Sequence, residues 1–237
     1  MTKKHWTAIA AALGLTAVGG TALSQTAPPA TIAPGAPPAT VAVPAAPTLT
    51  LTIAAPSEIQ IDAMATGADA QLVLLQNGAT VLEDSDGGDG VNARIITFVA
   101  PGTYEVQVWE WRGGAMTANV SAMVLPPLTP AGAITPGAPP VVVNAPAGDS
   151  PRASSAEVTL TIATAGNYTI DAVGPASGCD SQLVVVGQNA EVGRDSDSGD
   201  ANNARWTGPL TPGTYGVRVY DWINRACTIT VSAAPAP

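Results

Sequence analysis

The chain has almost no lysine or histidine. Its only lysines are Lys3 and Lys4 and its only histidine is His5. They begin a segment with a charged start, a short apolar run and the small residues Ala22-Leu23-Ser24, a pattern typical of a signal peptide, which we predict over residues 1–24. The mature chain would then have no imidazole base, and this excludes Ser–His–Asp and Cys–His catalysis as well as zinc sites built on histidine. We therefore expect a protein that is not an enzyme.

Basic charge is also scarce. Without residues 1–24 the chain keeps seven arginines against 18 acidic residues, a net charge of 7 − 18 = −11. Such a surface repels nucleic acid and anionic lipid, so neither is an expected partner, whereas cations and basic partners are compatible with it. The apolar run of the leader is too short to cross a bilayer, so we expect no membrane span and an exported protein, periplasmic or extracellular.

Cysteine occurs only twice, at Cys179 and Cys227. In an exported protein a single pair of cysteines predicts a disulfide, because the compartment is oxidising. The alternative is a pair of buried free thiols.

The chain contains two copies of one unit. Asp69-Ala-Gln-Leu72 matches Asp180-Ser-Gln-Leu183, and Pro101-Gly-Thr-Tyr104 matches Pro212-Gly-Thr-Tyr215, both at an offset of 111 residues. A frame shared across several loops indicates duplication of a whole domain. We predict domains at residues 48–125 and 155–234.

Two segments rich in proline and alanine lie outside these copies, at residues 25–47 and 126–154. They carry few charges and show no amphipathic period, which is typical of extended, polyproline-like linkers. We expect them to act as spacers that separate the domains by several tens of ångströms, roughly 3 Å per residue.

Within each copy the pattern is one of short strands. Leu49, Leu51 and Ile53 alternate with threonines, and Asn77-Gly78 stands between two apolar runs as a hairpin signal. The second copy has the weaker turn pair Gln188-Asn189 at that place. Seven or so strands per copy, without a helical stripe, predict a small antiparallel β-sandwich.

The order of these motifs resembles the bacterial pre-peptidase C-terminal domain. It consists of an Asp-x-x-Leu strand from Asp69, an Asp-rich loop ending in Asn92, Pro101-Gly-Thr-Tyr104 and a Val106-Gln-Val108 strand, and it recurs from Asp180 to Val219. The resemblance implies a jelly-roll-like sandwich that accompanies secreted enzymes, often proteases, with some members binding calcium or a polymeric substrate. The predicted fold is thus all-β, with two tandem jelly-roll-like antiparallel β-sandwich domains joined by a Pro/Ala-rich linker.

The loops DSDGGDGVNAR (84–94) and DSDSGDANNAR (195–205) carry the first candidate site. Several carboxylates and an amide oxygen on a flexible loop are the ligands that Ca²⁺ prefers. The same residue types also cap exposed β-turns, so a plain capped turn is the alternative. The candidate ligands are Asp84, Asp86, Asp89, Asn92 and Asp69 in the first copy, and Asp195, Asp197, Asp200, Asn203 and Asp180 in the second.

Aromatic residues near the end of one strand form the second candidate site. By alternation Trp109 and Trp111 point away from the Val106/Val108 face, as Tyr220 and Trp222 do in the second copy. Exposed aromatics can stack on sugars or grip a peptide, whereas a covering strand or loop would make them structural.

These patterns predict an exported, non-catalytic binding or surface-interaction protein, with a protein or polysaccharide surface as its partner and Ca²⁺ as a possible stabiliser. The alternatives are a purely structural cell-envelope protein and an accessory subunit of a separately encoded secreted hydrolase.

Overall fold

The computed structural model describes residues 30–45, 47–175 and 178–236. The predicted signal peptide lies outside the described residues. Within them all regular structure is β-strand, which confirms the all-β class. The first module contains β1 (Ala30–Ile32), β2 (Ala39–Val43), β3 (Thr48–Ile53), β4 (Ser57–Ala65), β5 (Ala70–Gln76), β6 (Ala79–Asp84), β7 (Ala93–Val99), β8 (Gly102–Glu110) and β9 (Met116–Val124). The second contains β10 (Gly132–Ile134), β11 (Val141–Ala145), β12 (Ala156–Ile162), β13 (Gly166–Val173), β14 (Ser181–Gly187), β15 (Ala190–Asp195), β16 (Ala204–Leu210), β17 (Gly213–Asp221) and β18 (Cys227–Pro235).

Each module is a sandwich of a five-stranded and a four-stranded sheet. The orders are β1-β3-β8-β5-β6 and β2-β9-β4-β7 in the first module, and β10-β12-β17-β14-β15 and β11-β18-β13-β16 in the second. Among the described strands, β1/β3 and β10/β12 pair in parallel and the other pairs are antiparallel. The predicted β-sandwiches are therefore present, one for each copy of the repeat.

Each sandwich encloses its own apolar core. Leu49, Leu51 and Ile53 point inward from β3, as the alternation predicts, and Val106 and Val108 meet them from β8. The second module repeats this arrangement with a separate cluster. Burial of such side chains stabilises each module by about 25 cal/mol per Å² of apolar surface removed from water.

The expectation that the two Pro/Ala-rich segments are simple spacers was wrong. β1 and β2 lie in the first segment, β10 and β11 lie in the second, and all four extend the sheets of the modules. Pro34-Gly35 forms the tight turn between β1 and β2, with Ala36 N donating to Ala33 O at 3.0 Å and Gly35 at a φ of 78°. Proline before a glycine of positive φ suits a type II turn, and alternating Val41 and Val43 are buried on the core.

The connection between the modules is consequently short. β9 ends at Val124 and β10 begins at Gly132, so it comprises the seven residues 125–131. Seven residues span at most roughly 20–25 Å, less than the predicted separation of several tens of ångströms.

The predicted turns and the disulfide are present. Asn77 and Gly78 connect β5 and β6 with φ values of 52° and 79°, and Gln188 and Asn189 do so in the second module with φ values of 52° and 58°. Cys179 and Cys227 are bonded, which confirms the predicted disulfide. No helix among the described residues is long and apolar enough to cross a membrane.

Candidate functional site

The first aspartate-rich loop is closed by its own first residue. The carboxylate of Asp84 accepts hydrogen bonds from the backbone N–H of Gly87 at 2.8 Å and of Arg94 at 2.9 Å. Asp84 ends β6 and Arg94 lies at the start of β7. This side chain therefore ties together the two strand ends that the loop connects.

Asn92 holds the middle of the same loop. Its side-chain oxygen accepts from Ala65 N at 2.8 Å, and its side-chain nitrogen donates to Asp89 O at 2.9 Å. The N–H of Gly88 donates to Asn92 O at 2.8 Å. These are the contacts of a capped turn, in which polar side chains satisfy backbone groups that no strand partner reaches.

The second loop repeats these contacts. Asp195 accepts from the backbone N–H groups of Ser198 at 3.0 Å and Arg205 at 2.8 Å, and Asn203 Oδ1 accepts from Gly174 N at 2.9 Å. Ser198, which replaces Gly87, adds a hydroxyl bond to Asp195 at 2.5 Å. Both copies therefore use their first aspartate and their asparagine to hold backbone.

One glycine of the loop cannot be replaced without a clash. A Cβ at Gly88 would lie 2.7 Å from the carbonyl oxygen of Asn92, and one at the equivalent Gly199 would lie 2.6 Å from that of Asn203. Real Cβ atoms do not approach oxygen so closely, so glycine is required at this position. Gly90, by contrast, has open space around it and is Ala201 in the second copy.

The arginine at the end of each loop pairs outside the loop. Arg94 Nε donates to Asp62 on β4 at 2.6 Å, and Arg205 Nε donates to Asp171 on β13 at 2.6 Å. These hydrogen bonds raise the pKa of both arginines above the ordinary value. Arg94 comes within only 3.9 Å of the loop carboxylate Asp89.

The other two predicted ligands at strand starts are partly used as acceptors. Asp69 accepts from Gln71 Nε2 at 2.6 Å and Asp180 accepts from Gln182 Nε2 at 3.1 Å. Burial raises the pKa of the Asp180 carboxyl, and the nearby charges of Asp197 and Asp221 raise it further. Charged Asp180 is thus less favourable than an exposed aspartate, as expected where carboxylates lie near one another.

Eight of the ten predicted Ca²⁺ ligands fall into two groups in the structure. Asp84, Asp195, Asn92 and Asn203 direct oxygens at backbone N–H groups, while Asp86, Asp89, Asp197 and Asp200 lie at the surface of the loops. No group of three or more His, Cys, Asp or Glu side chains suited to a metal ion occurs among the described residues. Ca²⁺ needs six to eight oxygens together.

The aromatic residues project from the sandwiches. Trp109 is 36% exposed, Trp111 50% and Trp222 64%, while Val108 beside them is fully buried. Tyr220 is half-buried, and burial raises the pKa of its phenol. The alternation predicted from sequence therefore places these rings on the outer face and at the tip of the strand.

The turns that carry the tryptophans are firmly held. Trp111 N donates to Asp69 O at 3.0 Å, and Trp222 N donates to Asp180 O at 2.8 Å. In the second module, fully buried Asp221 accepts from Arg225 Nε at 2.9 Å and Nη2 at 3.1 Å, and this pair lowers the pKa of Asp221 to about 2. Glu110, its counterpart, instead accepts from the backbone N–H groups of Arg112 and Gly114.

A further feature, not predicted from sequence, is a cleft of about 890 Å³ between the two modules. Its lining includes Glu58, Phe98, Arg152 and Arg218, which differ from their counterparts in the other copy or have none there. The sequence signal that could have indicated this cleft is that these residues differ between the two copies.

No protein-family model and no curated protein matches this chain. Among solved structures, it is similar to the pre-peptidase C-terminal domain of a collagenase from Bacillus anthracis, at 17% identity over 46% of this chain and 99% of that one, with a TM-score of 0.36. It is also similar to the CUB1-EGF-CUB2 region of human MASP-1/3, at 8% identity over 85% of this chain and 97% of that one, with a TM-score of 0.24. These values do not establish a family.

Proposed function

We propose that this chain is an exported, non-catalytic binding protein that contacts its target through the tryptophans at the ends of β8 and β17. The observation that carries the proposal is exposure: Trp111 is 50% and Trp222 64% open to solvent, and Ile223 beside it is 59% exposed. Large apolar side chains held on ordered turns at a surface are typical of contact residues, because contact removes them from water.

The proposed target is a protein or polysaccharide surface. An indole ring offers a flat apolar face and one N–H donor, which suits both sugar rings and peptide side chains. Each module carries one such tip, so a repetitive target would engage both and gain avidity. The net charge of −11 predicted after removal of residues 1–24 disfavours nucleic acid and anionic lipid.

Export is supported by the leader-like sequence and by the Cys179–Cys227 disulfide, since disulfides persist in oxidising compartments. In this proposal the aspartate-rich loops act as capped turns that fix the ends of β6 and β7 and of β15 and β16, and the protein catalyses no reaction.

The test is co-sedimentation of residues 25–237 with insoluble polysaccharides and cell-wall preparations, together with binding to immobilised protein surfaces. Trp111→Ala and Trp222→Ala are each expected to weaken retention about tenfold, which corresponds to about 1.4 kcal/mol, and the double variant by more. Val142→Ala is the matched control, because Val142 is equally open, at 62% exposure, but lies on β11. Retention that is the same in all variants would contradict the proposal and favour a structural envelope role.

A further inference from the structure

The side chain of Arg218 lies between the two modules. Arg218 of β17 donates from Nη1 to Glu58 Oε1 on β4 at 2.6 Å and from Nε to Glu157 Oε2 at 2.9 Å. Its guanidinium lies over the Phe98 ring of the first module, 5.2 Å from the centroid. Glu58 and Arg218 are each only 8% exposed, so the pair is shielded from water and from screening salt.

The residues of this contact are not shared by the two copies. Strand register places Glu58 opposite Phe98, and the same positions of the second module hold Asn167 opposite Pro209. Likewise Glu157 lies opposite Arg218, and the first module has Thr48 opposite Gln107. The four counterparts, Asn167, Pro209, Thr48 and Gln107, carry neither charge nor an aromatic ring.

The second copy also has an insertion that reaches the first module. Four residues (44–47) separate β2 from β3, whereas ten (146–155) separate β11 from β12. Within these ten, Asp149 accepts from Arg94 Nη1 at 3.1 Å, and Arg152 donates to Glu58 at 2.9 Å. Arg152 also donates to the carbonyl of Pro126 in the connection.

The inserted segment is bonded to the tryptophan turn as well. Gly148 N donates to Asn224 O at 3.1 Å, and Ser154 Oγ donates to Asn224 Oδ1 at 2.9 Å. Gly148 and Asp149 therefore join the turn that carries Trp222 to Arg94, whose backbone N–H is held by Asp84 of the first aspartate-rich loop.

The connection between the modules is held at both ends. Leu125 N donates to Glu58 O at 2.9 Å, and Ala131 N donates to Glu157 O at 2.7 Å. The backbones of the two acids that pair with Arg218 thus hold the first and last residues of the seven-residue connection. Side-chain and backbone contacts act on the same relative placement of the modules.

We propose that Glu58, Arg218 and residues 146–155 form an intramolecular docking site that makes the two modules one rigid unit. The first module must supply the Glu58 side and the second module the Arg218 side, because the equivalent residues of the other copy cannot make these contacts. The outer face of β4 and β7 in the first module is the partner that fits the outer face of β12, β17 and β14. Insofar as the tryptophan tips bind the target, which rests on the proposed function, docking presents the Trp222 tip at a fixed position relative to the first aspartate-rich loop.

Small-angle X-ray scattering of residues 25–237 tests this proposal. The native chain should show the radius of gyration and maximum dimension of the docked structure, unchanged up to 0.5 M NaCl. Arg218→Met leaves Glu58 and Glu157 without their shared partner and should increase both dimensions. Gln107→Met and Asn167→Gln, at the equivalent positions of the other copy, are matched controls and should leave both unchanged.

A native profile that already fits two independently moving modules would overturn the proposal, as would an unchanged profile for Arg218→Met. If Arg218→Met loses its β-sheet circular dichroism signal, the test uses Glu58→Gln and Asp149→Ala, which change the other two parts of the docking site. A native scattering profile in both of these variants would also overturn the proposal. Loss of target retention alone does not alter the scattering, so failure of the proposed function and failure of docking are separable.

Discussion

Arg218 and Glu58 are 160 residues apart in sequence, yet the guanidinium donates to the carboxylate at 2.6 Å. Burial by itself lowers the pKa of Arg218, but the hydrogen bonds to Glu58 and Glu157 outweigh that effect and raise the pKa above its ordinary value. The arginine therefore stays charged across the whole working pH range.

This pair should show strong energetic coupling. Arg218→Met removes the arginine that pairs with Glu157 and leaves Glu58 with Arg152, and it is expected to lower the free energy of unfolding by about 3 kcal/mol. Glu58→Gln should also destabilise, and the double variant should cost less than the sum of the two, with a coupling energy of about 1–3 kcal/mol. Urea denaturation of the four proteins measures this, and strict additivity would contradict it.

The aspartate-rich loops should stabilise without metal. Asp84→Ala and Asp195→Ala each remove the acceptor of two backbone N–H groups and are expected to cost about 1–3 kcal/mol, equally in EDTA and in Ca²⁺. The thermal midpoint of the native chain should stay flat across a Ca²⁺ titration. If the loops bound Ca²⁺, a Ca²⁺ concentration of 100 times the dissociation constant would raise the free energy of unfolding by ~2.7 kcal/mol.

A midpoint that rises with Ca²⁺ but not with Mg²⁺ would be the contrary result. If that rise were lost in Asp86→Asn/Asp197→Asn, which changes exposed loop carboxylates, the loops would be cation sites.

The disulfide should make the two modules unequal. Cys179 and Cys227 are 48 residues apart, and closing a loop of that length is worth roughly 4 kcal/mol in the chain-entropy model. The equivalent positions of the first module are Ala68 and Met116. Reductant, or the double substitution Cys179→Ser/Cys227→Ser, should therefore lower the thermal unfolding midpoint of the second module. Calorimetry measures this midpoint. A thermogram insensitive to reductant would rule this out.

Substitutions in the turn between β14 and β15 should increase the stability of the protein. Gln188 and Asn189 both have positive φ, 52° and 58°, whereas the first module places Asn77-Gly78 there. A left-handed backbone costs an ordinary L-residue about 1–2 kcal/mol, less for asparagine. Gln188→Asn/Asn189→Gly should raise the free energy of unfolding by about 1 kcal/mol. The reverse change, Asn77→Gln/Gly78→Asn, should lower it, and equal stability of the variants would argue against this account.

The Asp221–Arg225 pair should make the second module acid-sensitive. The pKa of Asp221 falls from its ordinary value of 3.8 to about 2 in the folded protein. A lowered folded pKa means that the contribution is complete above pH 3.8 and is lost as the pH falls toward 2. We expect a loss of roughly 1–2 kcal/mol, reduced by solvent around half-exposed Arg225.

Asp221→Asn should flatten that part of the pH profile, whereas Glu110→Gln in the first module should not. Denaturation at pH 2–5 measures it, and identical profiles for the native chain and Asp221→Asn would refute the assignment.

The sequence by itself indicated the all-β class, the strands β3, β5, β6 and β8 with their counterparts β12, β14, β15 and β17, the turn at Asn77-Gly78 and the disulfide. The strands and the turn depend on alternating apolar residues and on turn-forming residues, which act over a few positions. The disulfide depends on an oxidising compartment and a single cysteine pair. The sequence also indicated that the tryptophans face outward, because alternation fixes a side relative to the buried valines.

Only the tertiary structure decided the rest. Short segments rich in proline carry little local preference, so β1, β2, β10 and β11 become strands only because a completed sheet offers them an edge with which to pair. The loop aspartates show the same sequence pattern whether they bind a cation or backbone N–H groups, and only the folded strands show that Asp84 and Asp195 accept from backbone N–H groups. The Glu58–Arg218 contact joins residues 160 positions apart, and no local pattern specifies a pairing that forms only when two finished sandwiches meet.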